Sequence, residues 1–331
     1  MHDILNLAGS NLLSPPVLFF ALGFAASFAR SDLEVPQAVA KALSLYLLLA
    51  IGFKGGVAVA SHGLDTKLVS TLAAGIVLSA AIPFLAFALL RIVTNLPRVD
   101  AVAVAAHYGS ISIVTFAAAT SVLATSGIDY EGYLVAVAAV METPAIVSAL
   151  LLLRWSGAND DQGENANASA SELWREIALN GSIVLLTGAF VIGWVTGEKG
   201  LGDIAGFVVD PFKGVLCLFL LDMGLVAGRG MRQGARDLSL PLVGFGIVMP
   251  LIGGVLGAGA AAVIGLSAGG AMLLATLAAS ASYIAVPAAM RLAIPEARPS
   301  IYLSLSLGVT FPFNLTLGIP VYVILGNIAG S

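Results

Sequence analysis

Apolar runs close to the length of a bilayer crossing recur ten times along this chain. They cover Pro15–Ala29, Pro36–Phe53, Leu68–Leu90, Val99–Leu123 and Gly132–Leu153. Then come Ala178–Thr196, Pro211–Ala227, Leu240–Ile264, Gly269–Ala293 and Ile301–Ile324. A helix needs ~20 apolar residues to cross the hydrocarbon core, and a spanning segment must satisfy its own backbone hydrogen bonds. Only 10% of the residues are charged, against roughly 25% in a soluble domain. The expected fold is therefore an all-α polytopic membrane protein with ten transmembrane helices. The first run is short and calls for a thinned bilayer or a tilted neighbour. Pro36 suits the first turn of the second helix, where a missing N–H costs nothing.

Several function classes drop out early. No basic patch with interleaved aromatics marks a nucleic-acid binder, and a formal net charge of −4 favours no partner. No nucleophile elbow, phosphate loop or metal-binding His motif occurs, so neither enzyme chemistry nor a cofactor is expected. Cys217 is the single cysteine, which excludes a disulfide within the chain; it reads as a small buried hydrophobe. Met1-His2-Asp3 lacks a basic signal-peptide region, so the first helix is expected to stay, with its N-terminus outside.

A polar stretch from Ser156 to Ser171, with Asp160, Asp161 and Glu164, falls near the middle of the chain. It divides the chain into a first five-helix repeat (1–155), a disordered cytoplasmic linker (156–176) and a second five-helix repeat (177–331). At an offset of 172 residues the halves align: Lys41 meets Lys213, Gly52 meets Gly224, Gly56 meets Gly228 and Ser110 meets Ser282. All ten arginines, from Arg30 to Arg298, accompany connections that follow odd-numbered spans; Lys54, Lys67, Lys199 and Lys213 lie on the other side. The positive-inside rule then puts the linker in the cytoplasm and both termini outside the plasma (inner) membrane. Five spans per half is an odd number, so the second half enters from the opposite face. This is an inverted repeat, as in many secondary transporters.

The fourth span is interrupted at His107-Tyr108-Gly109-Ser110-Ile111-Ser112, and the ninth at Ser280-Ala281-Ser282-Tyr283 and again at Pro287. Each is the fourth span of its half. A broken helix offers free N–H groups and the positive end of its dipole to an anion. Broken backbone is tolerated at membrane depth only where it lines protein or a cavity. The expected substrate residues are Gly109, Ser110, Ile111 and Ser112, facing Ser280, Ala281 and Ser282. The expected cation-binding or coupling residues, for Na+, are Ser110, Thr115, Glu142, Ser282, Tyr283 and Asn314. Glu142 lies deep in the fifth span beside Pro144 and meets Asn314 at the repeat offset; a carboxyl at that depth is costly and marks function by default. The alternatives are small residues that only permit close helix packing, and a Glu142 that only bridges helices. Asp222 is expected to pair with Lys41 or Lys213. His107 is expected to gate, to sense pH, to hydrogen-bond the substrate or to serve structure alone. Arg291 is expected to snorkel to the cytoplasmic interface.

Longer stretches carry a resemblance. Val35-Pro36-Gln37-Ala38 leads into Ile51-Gly52-Phe53-Lys54-Gly55-Gly56, followed by Gly109–Ser112 and Asp129-Tyr130-Glu131. Asp210-Pro211-Phe212 leads to Asp222-Met223-Gly224, then Ala278-Ala279-Ser280-Ala281-Ser282 and Arg291-Leu292-Ala293-Ile294-Pro295. In order and spacing this resembles the sodium-dependent bicarbonate transporters first recognised in cyanobacteria, over nearly the whole chain. The resemblance implies ten helices in an inverted repeat, gate and core subdomains, and a homotrimer. It implies bicarbonate on backbone amides around Gly109–Ser112 with sodium nearby, and a cytoplasmic PII-like regulator. The chain departs from that pattern at Val114, where the family carries Ser, and at Tyr283, where it carries Asp. Glu142 is then the carboxyl that could compensate, and the coupling ion is sodium or a proton. The expected function is cation-coupled symport of a small anion, bicarbonate first. A small organic carboxylate is the second substrate class, and a non-transporting membrane sensor or scaffold the third reading.

Overall fold

The computed structural model describes residues 13–63, 65–142, 144–155, 181–234, 238–283, 286–287, 289–290 and 294–330. The expected linker and Arg291 lie outside these residues. Every regular element among the described residues is helical: α1 (Pro15–Phe28), α2 (Gln37–His62), α3 (Thr66–Val93), α4 (Arg98–Gly109), α5 (Ile113–Ser126), α6 (Leu134–Val140), α7 (Pro144–Trp155), α8 (Gly181–Val208), α9 (Phe212–Gly234), α10 (Leu240–Ile264) and α11 (Ala268–Ala278). The last, α12 (Pro299–Ala329), contains two π-helical segments, Ser306–Thr310 and Asn314–Gly318.

Eight helical stretches are long and apolar enough to cross a membrane, counting α4 with α5 and α6 with α7 as one crossing each. The chain is a multi-pass membrane protein. The first and ninth expected spans are represented by α1 and α11, apolar helices of 14 and 11 residues. α11 is short because the ninth span stops at its break. α8 runs beyond the expected end at Thr196, past Glu198 and Lys199, to Val208; Gly197, at φ 57°, kinks it there. An L side chain rarely holds that φ, and glycine does so without penalty.

The glycines that match at the repeat offset are packing contacts. Gly52 and Gly56 of α2 lie on the α8 backbone at Leu186 and Phe190, and Gly224 and Gly228 of α9 lie on α1 at Phe20 and Phe24. A Cβ on Gly56 would reach within 2.6 Å of the Trp194 nitrogen, and one on Gly224 within 2.8 Å of the Phe24 nitrogen. Without a hydrophobic drive between helices in lipid, small residues let backbones approach for dispersion contact. α2 thus pairs with α8 and α1 with α9, and α9 also touches α2. A second group packs around α3 and α10: α4 and α7 on α3, α11 and the end of α12 on α10.

Two ties hold that second group at its ends. Asp100, in the first turn of α4, accepts from the Arg298 backbone N–H at 2.8 Å and from its guanidinium at 2.7 and 2.9 Å, just before α12. Glu131, just before α6, accepts from the backbone N–H and hydroxyl of Ser267 at 2.7 and 2.8 Å, at the N-cap of α11. Both put a carboxylate at the positive end of a helix, where it is stabilising. In the best membrane-length window of α4–α5 every residue is buried (100%), against 17% in that of α8. The broken span is enclosed by protein, which is where interrupted backbone is tolerated.

Candidate functional site

The expected fourth and ninth spans cross at their breaks. α4 ends at Gly109, residues 110–112 are extended, and α5 starts at Ile113. α11 gives way after Ala279 to the non-helical residues 280–282, and helix resumes by residue 286. The breaks satisfy each other. Ser282 N–H donates to the carbonyl of His107, one of the carbonyls α4 leaves unpaired, at 2.7 Å. Ser112 N–H donates to Ser280 Oγ at 3.0 Å, and Ser280 Oγ donates to the Leu277 carbonyl at 2.8 Å.

Ser112 caps α5. Its Oγ accepts from Thr115 N–H at 3.2 Å and from Thr115 Oγ1 at 3.0 Å, and donates to the Tyr283 hydroxyl at 3.2 Å. Ser282 Oγ accepts from Val286 N–H at 3.4 Å, so it stands at the start of the resumed helix as Ser112 does in its own half. With Ser112 and Thr115 amides engaged, the Ile113 and Val114 N–H groups are the amides of that first turn with no partner among the described residues. Sequence reasoning centred on Gly109–Ser112 did not reach those two. Gly109 has a packing reason to be glycine: a Cβ there would lie 2.6 Å from Pro83 Cδ and 2.9 Å from Ala145 Cβ. Ile111 and Ala281 are buried beside the hydroxyls, 1% and 2% exposed.

A third interruption, not expected as such, separates α6 from α7 at Glu142. Pro144 disfavours helix at the residue before it and has no N–H to continue the ladder. Ser79 Oγ on α3 donates to the freed Met141 carbonyl at 2.6 Å. Glu142 itself accepts from Ser110 Oγ at 2.8 Å, which brings the carboxylate to the first break. Asn314 serves the second break: its Nδ2 donates to the Ala279 carbonyl at 3.0 Å, while Tyr322 OH donates to its Oδ1 at 2.7 Å. Glu142 and Asn314, matched in sequence, therefore each bond within their own half. Tyr322, missed from sequence, lies eight residues beyond Asn314 and is buried; no local motif marks it.

His107 Nδ1 lies 2.6 Å from the Ala103 carbonyl, and its ring stacks on Tyr302 at 4.5 Å. A carbonyl can only accept, so Nδ1 carries the hydrogen and Nε2 is the lone-pair nitrogen. Nε2 is buried with no partner among the described residues. Tyr108 OH lies 2.5 Å from Thr310 Oγ1, which donates to the Gly246 carbonyl at 2.7 Å. Asp222 is buried in α9 and pairs with neither Lys41 nor Lys213; Lys213 Nζ donates to Thr125 Oγ1 at 3.2 Å instead.

The crossing thus brings together Ser110 with Glu142, and Ser112 with Thr115, Tyr283 and Ser280. Ser282 sits one bond away on the His107 carbonyl. Its polar atoms are hydroxyls, carbonyls, two helix-terminal amides and one carboxylate. Hard cations take oxygen ligands, and free amides at a helix start take anions. No curated protein matches the chain. A family model of the Na+-dependent bicarbonate transporter superfamily matches residues 15–327, and the chain belongs to that family.

Proposed function

We propose that this protein is a cation-coupled symporter that carries bicarbonate with Na+ by alternating access. The observation that carries the reading is the enclosed crossing, where two broken spans meet and a carboxylate bonds to the first break. In this reading the Ile113 and Val114 amides, with Gly109–Ser112 and Ser280–Ser282 around them, receive the anion. Ser110 Oγ and Glu142 receive the cation, with Ser112, Thr115, Ser282, Tyr283 and Asn314 holding the surrounding oxygens. Coupling requires only that each ion favour the state the other occupies. Opposite charges held close in a low-dielectric site meet that requirement.

The paired packing of α1 with α9 and of α2 with α8, at matched glycines, supports a five-plus-five inverted repeat of ten spans. The two matched end ties support it as well. On that topology the arginine bias favours cytoplasmic odd connections, both termini outside, and an inner-membrane setting. The family likeness favours a homotrimer and a cytoplasmic PII-like regulator. Mass analysis of the solubilised protein tests the first, and co-purification tests the second.

The deciding experiment is uptake of labelled bicarbonate into proteoliposomes, with and without an inward Na+ gradient, at two pH values. Sodium-driven accumulation is expected at both. Accumulation that follows the proton gradient alone would assign the coupling to H+. Binding without accumulation would favour a sensor or scaffold. One observation favours a second substrate class: Ile111, Ile113, Val114 and Phe116 form a buried apolar wall at the amides. A small organic carboxylate would use that wall, and it would then compete with bicarbonate uptake.

A further inference from the structure

Lys54 lies inside α2, eight residues before its end at His62, half-buried, with its Nζ 3.9 Å from the centre of the Phe212 ring at the start of α9. No carboxylate lies within ion-pair distance of it among the described residues. A charge at membrane depth is costly unless something compensates it. A ring face supplies part of that compensation, and an anion would supply the rest. The space for one is present. Lys54 lines a cavity of about 200 Å³ shared with Phe116 and Thr120 of α5, Val135 of α6, and Tyr130 and Gly132 of the connection between them. A single water needs roughly 10–15 Å³ by the same kind of measure, so the cavity takes a small anion together with water. Its wall holds one further group free to donate, the hydroxyl of Tyr130, and no acidic side chain; Thr120 Oγ1 gives its single hydrogen to the Ala117 carbonyl at 2.9 Å. Burial raises the titration of the Tyr130 hydroxyl above its usual range, so it stays a neutral donor at pH 7.

The cavity also adjoins the crossing. Phe116, fully buried, is its inner wall and directly follows Thr115, which bonds to the capping Ser112. On the opposite side of α5 a second cavity of about 380 Å³ carries Lys213 beside Thr125. The half-helix that starts at the crossing is thus flanked by two lysines, with no carboxylate in either cavity wall.

We propose that the Lys54 cavity is a second anion site, a holding point about one helical turn from the crossing. It takes a small monovalent oxyanion, with Lys54 and Tyr130 as its polar contacts. That it serves as the entry side rests on the symport reading and its orientation; that it binds an anion does not. The binding is tested on the purified wild-type protein. Lysines are acetylated with an N-hydroxysuccinimide ester in sodium bicarbonate or in sodium gluconate, at equal pH and ionic strength, and followed by peptide mass spectrometry. Bicarbonate is expected to slow labelling of Lys54 several-fold and to leave exposed Lys199 unchanged. Equal rates at Lys54 in the two salts would overturn the site.

Transport supplies a separate readout. Loss of a holding site is expected to raise KM with kcat nearly unchanged. Lys54→Gln should therefore raise KM for external bicarbonate roughly fivefold with kcat within about twofold, and Lys54→Arg should restore KM. An unchanged KM, or a kcat loss that Lys54→Arg does not recover, counts against the entry role. Protection of Lys54 in a protein that accumulates no bicarbonate would retain this site and remove the symport reading.

Discussion

Ser112 is saturated. Its hydroxyl has one hydrogen and two lone pairs, and the structure uses all three, on Tyr283, Thr115 N–H and Thr115 Oγ1. A cation drawing on Ser112 Oγ would have to displace one of these bonds. Ser110 and Glu142 are different, because there a carboxylate accepts a single hydroxyl and keeps lone pairs to spare. The two serines should therefore respond differently to substitution. Glu142→Gln keeps the shape and the bond from Ser110 but removes the charge. It is expected to raise the Na+ concentration for half-maximal uptake at least tenfold, with the melting temperature little changed; an unaltered Na+ titration would move the cation away from Glu142. Ser112→Ala removes a helix cap, which costs ~1 kcal/mol. A melting temperature lower by a few degrees is expected, with partial recovery in Ser112→Thr.

At the scale of elements, prolines inside the apolar runs have different outcomes. Pro144 ends α6, and a break follows. Pro312 and Pro320 sit inside α12 without one. The residues four before them, Gly308 and Thr316, fall inside the two π-helical segments. There a wider turn accommodates the ring and the missing N–H, whereas Pro83 in α3 and Pro250 in α10 sit inside helices with no such segment. Sequence alone shows the prolines but not which outcome follows, because both depend on what packs alongside. Ser79 accepts the role of partner at Met141, and Thr316 Oγ1 donates to the Pro312 carbonyl at 2.7 Å. The serine-rich breaks of the fourth and ninth spans were legible, since small polar residues in mid-span have few other uses. The extension of α8 was not, because Glu198 and Lys199 resemble a helix end. The glycine matches were legible in the sequence, though not as contacts. Their contact role yields a sharp contrast within α9. Gly224→Leu would collide with the α1 backbone, whereas a Cβ on Gly214 meets nothing within 4 Å. The first variant is expected to aggregate on size-exclusion chromatography and the second to elute as wild type.

At the scale of the molecule, the packing separates a paired set, α1, α2, α8 and α9, from a set built on α3 and α10 that holds most of the crossing. α5 belongs to the crossing at its start and runs between the Lys54 and Lys213 cavities towards its end. The alternating access proposed above needs one set to shift against the other, and interfaces lined by cavities are cheaper to slide than those where glycines lock backbones together. Thr125 on α5 and Lys213 on α9 face each other across such a boundary. In a Cys217→Ser background, the pair Thr125→Cys and Lys213→Cys would accept a short bismaleimide with a disulfide in its spacer. Cross-linking is expected to reduce bicarbonate uptake to background, and reduction of the spacer to restore it. Full uptake in cross-linked protein would show that α5 and α9 move as one body, and would place the sliding boundary elsewhere.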